Sequence, residues 1–140
     1  MDASAHQRSR RAVILVGAVY FVTGITLAAF AGMSASSQMR VIWRLMAWVI
    51  SAAAFLAHIG YGHFRLRNTP ITTALHTSVA VAMGAFALAA AANVHALWVG
   101  SGNRRLLTIA LVAWPALTAV PAFVVALAAA FGLTLTRRSA

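Results

Sequence analysis

Histidines are the residues of this chain best suited to chemistry, and three of the five, His58, His76 and His95, fall inside long apolar stretches. His58 and His76 have the most specific spacing: each lies nine residues from Arg67, the middle of a polar connection. In a helical hairpin about that connection both imidazoles come to similar depth, one or two turns below the polar boundary. Two neutral imidazoles at matched depth form the ligand set of a b-type haem iron, and Arg65 or Arg67 would meet the haem propionates. Gly60 and Gly84 would make room for the ring. The same pair could ligate another metal ion. Against haem, close-packed helices lie only about 8–10 Å apart, so a ring would have to wedge them open. The plainer reading is that each histidine hydrogen-bonds a neighbouring helix. His95 has no histidine partner at its own end, which excludes a second bis-histidine site. His6 and His63 are expected in a solvated tail and loop.

Asn93 and His95 form a second polar spot. With Thr108 and Thr118 they could line a small hydrated cavity, although Asn and Thr are also common interhelical links in membranes.

The absences exclude more than the presences propose. Asp2 is the single acidic residue and there is no cysteine. Carboxylate acid–base pairs, Ser-His-Asp triads, carboxylate-held magnesium, disulfides and thiolate sites are therefore impossible. No intramembrane carboxylate is available for a proton relay or a cation-selective ring. Gly100-Ser101-Gly102 is a turn and not a phosphate loop. An enzyme of conventional type is not expected.

Such residues need elements to hold them, and the composition limits what those elements are. Hydrophobic residues make up 62% of the 140 and charged residues 9%, against about 45–50% and about 25% in soluble domains. So few charges cannot cover a soluble surface. The apolar runs are continuous, as in helices surrounded by lipid. Four spans are expected, at about 12–33, 41–61, 71–99 and 106–133, in one membrane domain covering residues 1–140. The first is longer than the apolar core of a signal peptide, so it reads as a retained helix despite Ala29-Phe30-Ala31. Residues 62–70 are the clearest loop, in which Thr69 and Pro70 read as an N-cap and first helical position. Short links predict antiparallel, adjacent neighbours in an all-α four-helix transmembrane bundle with both termini on one side.

Charge sets the orientation. All 11 basic residues are arginines. Arg8, Arg10, Arg11, Arg65, Arg67, Arg137 and Arg138 fall on one side, while Arg40, Arg44, Arg104 and Arg105 fall on the other. The positive-inside rule then puts the termini in the cytoplasm, with Trp43 and Trp98 in the opposite aromatic belt. Arg44, about one turn into the second span, can snorkel to the interface. The arginines are dispersed over the ends of the spans, which fits anionic lipid head groups and not nucleic acid. The bias to Ala and Arg points to a GC-rich bacterial genome and hence a bacterial inner membrane.

Packing signals are weaker. Gly24, Ala28 and Gly32 form a small-residue stripe on the first helix, and Ala80 and Gly84 continue a row from His76 on the third. Pro115 and Pro121 are expected to kink or unwind the fourth helix, freeing the carbonyls of Leu111 and Leu117. Three functions fit these residues. The first is a non-enzymatic bundle, a subunit or scaffold that self-associates or docks to other membrane subunits. The second is a b-type membrane cytochrome. The third is a small oligomeric channel or transporter for a neutral or anionic solute.

Overall fold

The computed structural model describes residues 3–100 and 102–138, and the side chains of residues 7–100 and 102–136. His6, Arg137 and Arg138 have their side chains outside the described residues, and Asp2 lies outside them altogether. The fold is all-helical: α1 spans Ala3–Met33, α2 Ser37–Gly60, α3 Pro70–Val99 and α4 Arg104–Arg138, with a π-helical turn, Tyr61–Arg65, continuing α2. Each of the four contains a segment long and apolar enough to cross a membrane: Gln7–Met33, Ser37–Arg65, Pro70–Val99 and Arg104–Thr136. These segments enclose the four expected spans. α1 begins earlier than its apolar run, so Arg8, Arg10 and Arg11 stand on helix and not in a polar head.

The helix ends follow local chemistry. Thr69 adopts extended backbone (φ −64, ψ 156) and its Oγ1 accepts from the Thr72 N–H, with Pro70 at the first helical position. Gly100 closes α3 in the left-handed conformation (φ 67), which costs glycine nothing. Asn103 Oδ1 then accepts from the N–H groups of Arg105 and Leu106 at 3.0 and 3.4 Å, opening α4. After α1 ends, Arg40 Nη1 donates to the carbonyls of Ser34 and Ala35. α4 is continuous through Pro115 and Pro121, so the expected unwinding does not occur.

Inside and outside are reversed relative to a soluble bundle. Among the described residues the ten buried apolar side chains include seven alanines, at positions 31, 74, 80, 85, 89, 126 and 130. Large apolar groups face outward instead, with Trp48 77%, Val112 76% and Trp98 88% exposed. Small residues at helix contacts permit close backbone approach where lipid removes any hydrophobic drive for helix pairing.

α1 packs against both α2 and α3, and α3 packs most extensively on α4. α2 and α3 meet only marginally, although a short connection joins them. The expectation that neighbours in sequence lie side by side fails at this pair. α3 packs on α1 and α4 instead. A Cβ on Gly17 would lie 3.2 Å from the Ala80 carbonyl oxygen, and one on Gly84 only 2.6 Å from Tyr20 Cβ. Gly24 sits against Leu88, whereas Gly32 approaches nothing within 4 Å. The α1–α3 seam therefore runs through Gly17, Gly24 and Gly84; of the expected stripe Gly24, Ala28 and Gly32 only Gly24 is used, since Ala28 and Gly32 are exposed. Where α2 ends, Ile59 joins Ala74 and Ala126 in an apolar knot flanked by Phe55, Phe123 and Leu133.

Candidate functional site

The polar interior gathers at the end of the bundle that holds the α2–α3 connection. Among the described residues the buried polar side chains are His58, His63, Thr73, Thr77 and Ser78, all on α2, its π turn, or the first third of α3. Two of them satisfy themselves locally: Thr77 Oγ1 donates to the Thr73 carbonyl at 2.8 Å, and Ser78 Oγ to that of Leu75 at 2.9 Å.

His58 is 6% exposed, in the last turn of α2. His76 is half-buried, and its Nδ1 is 2.9 Å from the hydroxyl of Ser9 on α1. Sequence reasoning missed Ser9 because residues 1–11 read as a tail.

His63 departs most from expectation. It is not in a solvated loop; it is 5% exposed, on the π turn, with its ring edge against Phe64 at 5.0 Å between centroids. Two residues five apart on an α-helix point about 140° from each other. Bonding in the i→i+5 pattern, as in Leu66 N–H to the Tyr61 carbonyl, turns His63 back into the bundle. Arg67 follows in the left-handed region (φ 52) and the Asn68 N–H reaches back to the Gly62 carbonyl. Gly62 makes the close approach possible: a Cβ there would stand 3.2 Å from Thr73 Cγ2.

Arg65 and Arg67 are exposed at this end, accessible to anionic groups. The space expected at Gly84 is not open, because Tyr20 and the Gly17 carbonyl occupy it; at Gly60 a Cβ would meet nothing within 4 Å. No group of three or more His or acidic residues could hold a metal ion among the described residues.

At the far end, Asn93 and Thr108 line a cleft of about 210 Å³ together with Gly100, Gly102, Arg104 and Leu107. His95 is exposed, and neither His95 nor Thr118 lines this cleft. The polar groups are already committed: Asn93 Nδ2 donates to the Ala89 and Leu107 carbonyls, both at 2.9 Å, tying α3 to α4. Thr108 donates to the Arg104 carbonyl, and Thr118 to those of Trp114 and Pro115. Of the four expected residues, the structure brings Asn93 and Thr108 together and leaves His95 and Thr118 apart.

No family model, curated protein or solved structure matches this chain.

Proposed function

We propose that this chain is an integral membrane protein whose four antiparallel helices cross a cytoplasmic membrane, with both termini cytoplasmic, and that it works as a non-enzymatic subunit or scaffold of a membrane assembly. One observation carries the reading. From residue 37 to 57 no α2 side chain is buried, and α2 has its buried residues only in its last turn, at His58 and Ile59. Met39, Val41, Ile42, Leu45, Met46, Trp48, Val49 and Ile50 all face outward. A helix held by one neighbour for most of its length gains packing when a second helix, from another copy or another subunit, lies against it. The arginines at the α2–α3 end fit contact with anionic lipid head groups.

The test is the mass of the protein extracted with its native lipids, combined with cross-linking from single cysteines. Because the chain has no cysteine, Leu45→Cys or Trp48→Cys reports this face alone. A mass above that of one chain, with cross-links through these positions, supports the reading. A lone chain without cross-links overturns it.

A second reading is a b-type cytochrome, for which His58, buried at the end of α2, and His76, half-buried on α3, would be the ligands. An absorption spectrum before and after dithionite decides it. A Soret band lost in His58→Ala or His76→Ala would establish haem, and a flat spectrum under ample haem supply would discard it.

A further inference from the structure

We propose that His63, Thr73 and Tyr20 line a file of bound water that enters the bundle at the α2–α3 connection and ends near its middle. Among the described residues, four buried side-chain atoms have no hydrogen-bond partner in the protein: Nδ1 and Nε2 of His63, Oγ1 of Thr73 and the Tyr20 hydroxyl. The His63 and Thr73 atoms lie at the α2–α3 end, and Tyr20 stands at mid-bundle, where its Cβ meets Gly84. Beyond Gly84 the buried residues of α3 are Ala85 and Ala89, and the next polar side chain, Asn93, is satisfied by two carbonyls.

The burial of His63 is built into the backbone. An α-helical continuation of α2 would turn it away from the His58 face; the π turn brings it in, and a non-glycine residue, Arg67, takes a left-handed conformation (φ 52) at the end of that turn. Thr73 packs against Gly62, the residue before His63, where an added Cβ would lie 3.4 Å from its Oγ1. Tyr20 touches α3 at Gly84. Long side chains on a helix lean toward its N-terminus, which carries the Tyr20 hydroxyl back toward the histidine end of α1, where Ser9 meets His76.

Chemistry selects the ligand. A neutral imidazole offers one donor and one acceptor, and each hydroxyl offers both. Water matches that mixed set, and buried polar groups left without it are disfavoured. A metal ion does not match, because no cluster of three ligating residues exists among the described residues.

Hydroxyl-radical footprinting of the intact chain in lipid nanodiscs by short X-ray pulses tests the proposal, because bound water generates the radical beside the side chain it touches. His63 and Tyr20 should be oxidised several-fold faster than Phe55 and Phe123 of the apolar knot. Equal rates would overturn the proposal, and labelling of His63 without Tyr20 would overturn its reach to mid-bundle. Stability supplies an independent readout. Thr73→Val and His63→Leu should each lower the Tm by breaking a hydrated network; a rise in Tm, as expected when unpaired polar groups in a dry site are replaced, would overturn it.

Discussion

The Ser9 hydroxyl and His76 Nδ1, 67 positions apart in the chain, lie 2.9 Å from each other. This bond joins the early turns of α1 to the second turn of α3. The Gly17–Ala80 and Gly24–Leu88 contacts continue the same pairing upward, so α1 and α3 run side by side in one direction. The histidine end of the bundle is thus held by a polar link as well as by the apolar knot around Ile59.

Removing that link should destabilise the bundle modestly. Interhelical hydrogen bonds in membranes contribute about 0.6 kcal/mol on average and at most about 1.7. Ser9→Ala should lower the unfolding free energy by an amount in that range, and Ser9→Thr should retain most of it. Steric trapping or SDS titration measures the difference. An unchanged value for Ser9→Ala would show that the contact carries no energy.

The α1–α3 seam predicts opposite outcomes for two glycines. Gly84→Ala puts a Cβ 2.6 Å from Tyr20 Cβ and 3.2 Å from the Gly17 carbonyl oxygen, so the helices must move apart. The expected cost is about 1–3 kcal/mol. Gly32→Ala meets nothing within 4 Å and should be neutral or stabilising by about 0.5–1 kcal/mol through helix propensity. Thermal unfolding of the two variants in the same detergent checks the contrast.

Asn93 links α3 to α4 through the Leu107 carbonyl. Asn93→Leu should cost about 1 kcal/mol, in line with other interhelical polar contacts, and should loosen the Gly100–Asn103 turn. Hydrogen exchange at Arg105 and Leu106, whose N–H groups Asn103 caps, should accelerate in the variant.

The four long apolar helices were legible because each apolar run reaches the roughly 20 residues that a bilayer would require, and the Thr69-Pro70 and Gly100 boundaries because their residues have local conformational reasons. The separation of α2 from α3 was not. It depends on which glycines reach a neighbouring backbone, and in an alanine-rich chain Gly17, Gly24 and Gly32 look alike. The burial of His63 was hidden for a related reason: the π turn is settled by the fit of Gly62 on Thr73, a tertiary contact that no local pattern encodes. The unwinding expected at Pro115 and Pro121 does not occur because each proline removes one donor, too little to break a helix of 35 residues.

Four crossings with the termini inside is the claim on which the rest stands. In a chain without cysteine, single substitutions Gln7→Cys, Ser36→Cys, Asn68→Cys and Trp98→Cys test it directly in membrane vesicles of known orientation, using a maleimide that cannot cross the bilayer. Gln7 and Asn68 should label only from the cytoplasmic side, and Ser36 and Trp98 only from the opposite side. Labelling of Ser36 and Asn68 from the same side would mean that α2 does not cross the bilayer, and would contradict the four-span architecture.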